Sequence, residues 1–114
     1  MRTPNYSIRK ESYESQREAG RYNPGLELVI GNRVMPISAG HGDDIDVRTE
    51  GGEVFVLARN YRMGYVGLEV FDAEGERVGD IFIQSEDEAK ELMGPQGIHY
   101  SAPYCIRLLL NYIY

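Results

Sequence analysis

Cysteine and long apolar runs are nearly absent from this chain. Cys105 is the only cysteine among 114 residues, so no disulfide can form within one chain, and no cysteine cluster offers the spacing of a zinc site. The core must therefore hold without covalent cross-links. No stretch approaches the roughly 18 apolar residues that span a bilayer, and the N-terminal residues lack the apolar run of a signal peptide. We expect a cytoplasmic protein that contacts no membrane.

Positive charge is also in short supply. Lysine and arginine total 12 against 18 aspartates and glutamates, which gives a net charge of −6 and an isoelectric point of about 4.9. A surface that binds nucleic acid must present clustered cations to the phosphates, so the composition opposes direct nucleic-acid binding. Ten of the 12 cations are arginine, the residue preferred at protein interfaces. A protein partner is therefore expected.

The chain has only two histidines, which leaves little material for metal chemistry. His41 lies in the loop AGHGDDID together with Asp43, Asp44 and Asp46. The DxDxDG run and the distal glutamate of a calcium-binding loop are missing. This segment is expected to be a connection between two hairpins, with no metal bound.

Cys105 and His99 are the nearest pair that could form a nucleophile and its base. Pro103 interrupts any regular element between them, and Cys105 begins an apolar segment without the electropositive setting of a catalytic thiolate. GYVGLE and GERVGD match no phosphate-binding spacing, so no cofactor is expected. We predict a protein without enzymatic activity. The alternative is a small enzyme or ligand-binding domain with its site near His41 or His99, which a deep pocket lined by both histidines would favour.

Hydrophobic periodicity after Pro24 predicts three β-hairpins. A period of two runs through residues 26–37, 44–58 and 64–84, and the turns carry Gly31-Asn32, Gly51-Gly52 and the glycine of AEGE. Such short glycine turns are typical of paired antiparallel strands. The run VFVLA is apolar at both parities, which indicates a central strand covered on both faces.

A helix is predicted near 86–93, and both ends of the chain are ambiguous. Ser85 and Glu88 form a capping box, and Gly94-Pro95 should end the helix. Residues 104–114 satisfy both a strand and a helix spacing, and their tyrosine and isoleucine content favours a strand. Residues 1–25 contain few large apolar groups and are predicted to be a polar arm or helix.

These segments together predict an α+β fold with two parts. Residues 1–25 form the polar N-terminal arm or helix, and residues 26–114 form a single β-rich domain. The β-rich domain is an antiparallel meander of six or seven strands, with a partly open barrel as one form of it, and carries the one short helix.

Two surfaces are candidates for binding a partner. The first is the Tyr/Arg turn, which combines residue types that are enriched at interface hot spots. It comprises Arg59, Tyr61, Arg62 and Tyr65. The second, which we call the acidic strip, could present a negative surface to a basic groove, and its number of charges favours it slightly. It runs from Glu69 to Glu91, with Glu69, Asp72, Glu74, Glu76 and Asp80 as the binding candidates and Glu86, Asp87, Glu88 and Glu91 as its further acids.

In size, acidity, tyrosine content and lack of catalytic residues, the chain is similar in type to small phage-encoded inhibitors of host defence, including anti-CRISPR proteins. This similarity implies a protein that acts in the host cytoplasm by binding another protein. A nucleic-acid-binding complex of the host is one such partner. A homodimer is also compatible with the sequence.

Overall fold

Two antiparallel sheets and three α-helices make up the part of the chain that the computed structural model describes, residues 5–20, 25–37 and 44–114. In chain order the elements are β1 (Tyr6–Lys10), α1 (Tyr13–Glu18), β2 (Leu26–Ile30), β3 (Arg33–Pro36), β4 (Asp44–Glu50), β5 (Glu53–Asn60), β6 (Tyr65–Phe71), β7 (Arg77–Ile83), α2 (Glu86–Met93), a 3-10 turn (Gly97–His99) and α3 (Ala102–Ile113). The small sheet has the order β1-β2-β3 and the large sheet β4-β5-β6-β7. The α+β class is confirmed, but the strands divide between two sheets and close no barrel.

The three predicted hairpins form, the first two with the expected pairing, and the third has a register irregularity between Val70 and Phe71. Leu28 lies opposite Met35 in the first, and Val47 lies opposite Val56 in the second. The turn glycines adopt positive φ, including +60° at Gly51 and +81° at Gly52, a conformation that L side chains rarely adopt. Turn chemistry close in sequence therefore sets the register of the first two hairpins.

The large sheet forms the middle layer of the fold. One face of β5 and β6 packs on α2 and α3, and the opposite face packs on the small sheet. The central strand β5 is buried along nearly all its length, as the apolar run VFVLA predicted. Successive side chains along β5 therefore pack alternately against the helices and against the small sheet.

The preference for a strand at residues 104–114 is wrong, because this segment forms most of α3. Pro103 lies in the first turn of the helix, where its missing N–H costs nothing. Cys105, Ile106 and Leu109 form a buried stripe against the large sheet, and this burial outweighs the strand propensity of tyrosine and isoleucine. Near the end of α3, Ile113 packs against Gly79, where an added Cβ would lie 2.3 Å from the isoleucine Cγ2 atom.

The N-terminal segment is a strand followed by a helix. β1 pairs with β2 along its length, and Ile8 packs against the small-sheet core. Ser12 then caps α1 by accepting a hydrogen bond from the Ser15 N–H at 3.1 Å. The buried Glu11 accepts one from the Gly25 N–H at 2.8 Å. Residues 5–20 are thus attached to the β-rich part of the chain through the small sheet.

Candidate functional site

The connection between β5 and β6 is an exposed turn with a fixed conformation. Met63 is 64% exposed and Tyr61 is 41% exposed, and Arg62 lies between them. Asn60 braces the turn, because its Oδ1 atom accepts a hydrogen bond from the Met63 N–H at 2.8 Å. We call the exposed residues Tyr61, Arg62 and Met63 the turn tip. Apolar and cationic groups are thus presented to solvent on a braced backbone.

Gly64, which follows the turn tip, lies against the beginning of α2. Gly64 has a φ of +77°, and an added Cβ at that position would lie 3.2 Å from both the backbone nitrogen and the Cβ of Glu86. The Asn60 side chain also donates a hydrogen bond to the Tyr65 hydroxyl at 3.2 Å. Tyr65, one of the predicted binding residues, is half-buried on β6 and supports the turn through this hydrogen bond.

His99 joins the turn tip from a distant part of the sequence. Its ring stacks on Tyr61, with 5.4 Å between the ring centroids and 15° between the planes. Its Nε2 atom lies 3.5 Å from the Glu86 Oε1 atom. No local motif indicates this contact, because the 3-10 turn that carries His99 reaches the hairpin only through the packing of α2. His99 was predicted as part of an alternative pocket and lies on this surface.

Arg59 belongs to the interior and not to the exposed turn. The side chain points to the helix face of the large sheet and the residue is only 6% exposed. Its Nε and Nη2 atoms donate hydrogen bonds to the Asp44 carboxylate, with an Nε distance of 3.0 Å. Its Nη1 atom donates to the carbonyl oxygens of Ile98 and Tyr100. Arg59 therefore connects β4, β5 and the segment before α3.

The charge of Arg59 is preserved despite its burial. Burial by itself lowers the pKa of the guanidinium, but the hydrogen-bonded Asp44 carboxylate raises it, and so do the neighbouring Tyr61 and Cys105 groups, so the net shift is upward. Tyr61 also donates its hydroxyl to Asp44 at 3.2 Å. The ion pair between buried Arg59 and partly exposed Asp44 thus lies next to the turn tip and restrains Tyr61.

Cys105 lies in the same interior cluster. The thiol is fully buried and its Sγ atom lies 3.5 Å from the Tyr100 carbonyl oxygen and 3.7 Å from Arg59 Nη1. Burial raises the pKa of the thiol, and the Arg59 charge offsets only part of this increase. This environment favours the protonated thiol, whereas a catalytic cysteine needs a lowered pKa and access to substrate.

The raised pKa of Cys105 predicts that the protein loses stability at alkaline pH. The unfolded thiol releases its proton near pH 8.5, about the usual value, while the folded thiol retains it. The free energy of unfolding should therefore fall as the pH rises above about 8.5. Urea unfolding of the wild type and Cys105→Ala from about pH 7 to 9.5 measures this, and the decline should be shallower in the variant. Equal slopes for the two proteins would contradict the assignment.

Several residues of the acidic strip already form ion pairs or hydrogen bonds within the protein. Glu69 is 1% exposed and forms an ion pair with Arg77 at 2.8 Å. Asp72 accepts backbone hydrogen bonds from Glu74 and Glu76 within the β6–β7 turn, at 3.0 and 2.9 Å. A second ion pair joins Glu76 to Arg33 of the small sheet.

On α2, Asp87, Glu88 and Glu91 are exposed. On β6, β7 and the turn between them, only two members of the strip are exposed carboxylates without an ion pair among the described residues. These are Glu74 and Asp80. The candidate residues thus separate into an exposed turn tip, a few scattered acids and buried structural groups.

A cavity of about 310 Å³ opens between β4 and α3. Phe55 and Ile106 contribute apolar surface to it, and Arg48 and Arg107 contribute charge. His99 is not among its lining residues, and His41 lies outside the described residues. This cavity is therefore not the pocket lined by both histidines that would favour the alternative function.

Two further expectations concern metals and membranes. Asp43 and His41 of the predicted acidic loop lie outside the described ranges, while Asp44 binds Arg59 and Asp46 binds Arg48. Across the described residues, no three histidine, cysteine or acidic side chains lie close enough to hold a metal ion. No helix in this part of the chain is long and apolar enough to cross a membrane.

Comparison of the chain with protein-family models, curated proteins and solved structures finds no match.

Proposed function

We propose that the protein is a non-enzymatic module that binds another protein through the turn tip and His99. The observation that carries this proposal is the exposure of Met63 and Tyr61 at the end of a hairpin whose backbone is braced by Asn60. Aromatic, methionine and arginine side chains are enriched in the central parts of protein interfaces. Here all three types occupy consecutive positions.

The rigidity of the turn supports the same proposal. Binding costs conformational entropy for each side chain that becomes ordered. The stack with His99 and the hydrogen bond to Asp44 already restrict Tyr61 before a partner arrives. A partner would therefore meet a preorganised aromatic surface, which favours affinity without new folding.

The distribution of acidic groups favours the turn tip over the acidic strip. Glu69 lies in the interior and Glu76 is paired with Arg33, so less free charge remains for electrostatic attraction than the sequence suggests. Inhibition of a host defence complex is the most specific form of this proposal, and it rests on the similarity in type to phage-encoded inhibitors. Exposed Glu74 and Asp80 would then assist approach to a basic partner.

A photo-crosslinking amino acid at Met63 tests which surface makes contact. The protein carrying it would be incubated with a lysate of the natural host cells, and crosslinked proteins would be identified by mass spectrometry. Position 74 serves as the matched control, because Glu74 is also exposed and lies in the turn at the opposite end of β6. Crosslinks from Met63 and not from position 74 are expected. The reverse result would move the interface to the acidic strip.

Once the partner is identified, Tyr61→Ala should weaken its binding by about 2 kcal/mol, the cost of truncating a central aromatic anchor. Calorimetry at about 50 and 500 mM salt should show little salt dependence, since the contact is largely apolar. The double charge reversal Glu74→Lys and Asp80→Lys provides the control and should change affinity little at high salt. Unchanged binding by Tyr61→Ala together with steep loss in the charge-reversed protein would refute the proposal.

A further inference from the structure

The outer edge of β4 is free of strand pairing within the described ranges. β4 pairs only with β5, and it is one of the two outer strands of the large sheet. An unpaired edge presents backbone donors and acceptors that can accept another strand. Whether a particular strand can bind there depends on which groups point outward and on the side chains beside them.

The β4–β5 turn fixes which backbone groups point outward. Gly51 and Gly52 form a two-residue connection with φ values of +60° and +81°, and Glu50 lies opposite Glu53. Pairs that flank such a turn are hydrogen-bonded, and hydrogen-bonded pairs alternate along an antiparallel ladder. The N–H and C=O groups of Ile45, Val47 and Thr49 therefore point away from β5.

The side chains of β4 have a self-complementary charge order. Asp46 and Arg48 flank Val47 in the sequence, and their two side chains lie on the helix face of the sheet. A second β4 strand that runs antiparallel about a two-fold axis at Val47 would bring Asp46 opposite the Arg48 of the second copy, and this contact would occur twice. The outward groups of Val47 would meet their own equivalents, and those of Ile45 would meet Thr49. Backbone pairing and charge pairing thus agree on one register.

The ends of this arrangement are also acceptable. Asp44 would lie opposite Glu50 of the second copy, but Asp44 is already bound by Arg59. Glu50 shares the neighbouring cavity with Arg107, which makes no ion pair among the described residues. The cavity of about 310 Å³ beside β4 leaves room for side chains at the seam.

The other strand edges fit a second copy less well. A two-fold axis at the centre of β7 would oppose Asp80 to itself. β3 has four residues and includes Pro36, which has no N–H to donate. β1 carries Arg9 and Lys10 and contains no acidic residue of its own to meet them in a second copy. Like charges directly opposite each other destabilise strand pairs, so β4 is the edge best suited to self-association.

We propose that two copies of the chain associate through their β4 edges, antiparallel about Val47, to form a continuous eight-stranded sheet with Asp46–Arg48 contacts between the copies. The partner is a second copy of this chain, and the seam meets the turn tip at Asp44, which accepts a hydrogen bond from the Tyr61 hydroxyl.

Sedimentation equilibrium of the full chain tests this with two charge variants. Asp46→Arg alone opposes two arginines at each contact between the copies, and Arg48→Asp alone opposes two aspartates. Each variant alone should weaken dimerisation by about tenfold or more. An equimolar mixture of the two variants should restore a mixed dimer, because each arginine then meets an aspartate. A change within a single chain cannot produce this restoration.

Two further variants separate the interface from folding. Val47→Pro removes an N–H that points away from β5, so it should abolish the dimer while circular dichroism shows an unchanged sheet content. Asp80→Arg on the opposite edge is the control and should leave the dimer intact. A wild-type chain that stays monomeric at several hundred micromolar would overturn the proposal. Single variants that dimerise as well as the wild type, or a mixture that stays monomeric, would overturn it as well.

Discussion

Replacement of Arg59 by alanine is expected to lower the free energy of unfolding by about 3 kcal/mol or more. The guanidinium is buried and donates to Asp44 and to two backbone carbonyls near the start of α3. Its removal leaves the carbonyl oxygens of Ile98 and Tyr100 without this donor inside the protein, and desolvated acceptors are costly. Chemical unfolding monitored by circular dichroism at neutral pH measures the loss.

Matched variants separate the ion pair from the carbonyl contacts. Asp44→Asn keeps a hydrogen-bond acceptor, and its side chain is more than a third exposed, so we expect a smaller loss than for Arg59→Ala. Arg59→Lys keeps the charge but loses the planar five-donor group, and should remain substantially destabilised. An Arg59→Ala protein as stable as the wild type would refute the structural role. It would also return Arg59 to consideration as a binding residue.

The large loss expected for Arg59 also guards against a misleading binding experiment. A partner-binding assay on Arg59→Ala would report unfolding as lost affinity. Tyr61→Ala, at an exposed and neighbouring position, loses the His99 stack and the hydrogen bond to Asp44, and we expect it to cost about 1 kcal/mol of stability, well below the loss for Arg59→Ala. The two variants thus distinguish a residue that stabilises the turn from one whose side chain is available to contact a partner.

Much of the large sheet was predictable because its information is local. The turn glycines and the period-two pattern give the hairpin registers, and Ser85 fixes the start of α2 by accepting from the Glu88 N–H at 3.1 Å. The same register already implies the ion pair of Arg59, since pairing Ile45 with Ala58 brings Asp44 opposite Arg59. Treating Arg59 as an exposed turn residue overlooked this consequence.

The parts that were not predictable depend on distant contacts. The stripe in α3 becomes decisive only when the large sheet is present to cover it, and propensity alone favoured a strand. β1 forms because β2 offers it an edge. The stack of His99 on Tyr61 needs α2 and the 3-10 turn in place. Local sequence therefore identifies the turn tip, while the histidine that completes it requires the tertiary fold.

The second large effect is expected at the ion pair between Glu69 and Arg77. Glu69 lies on a central strand with its carboxylate enclosed, and its cross-strand neighbour is Asp80. Arg77, whose charge lies 2.8 Å from Glu69, also covers the Phe71 ring at 5.7 Å. Arg77→Met retains much of the apolar stem but removes the charge that balances these two acids. We expect a loss of about 2 to 3 kcal/mol in the free energy of unfolding, since a buried carboxylate loses its cation.

Two comparisons make this prediction specific. Glu69→Gln in the Arg77→Met background should recover most of the loss, because the enclosed charge is then removed with its partner. Arg33→Met breaks the exposed pair with Glu76 and should change stability by less than about 1 kcal/mol. Equal effects of Arg77→Met and Arg33→Met in urea unfolding would show that the buried Glu69 does not need the Arg77 cation. If the prediction holds, charge reversal at Glu69 reports folding and cannot test the acidic strip as a binding surface, so that test must use Glu74 and Asp80.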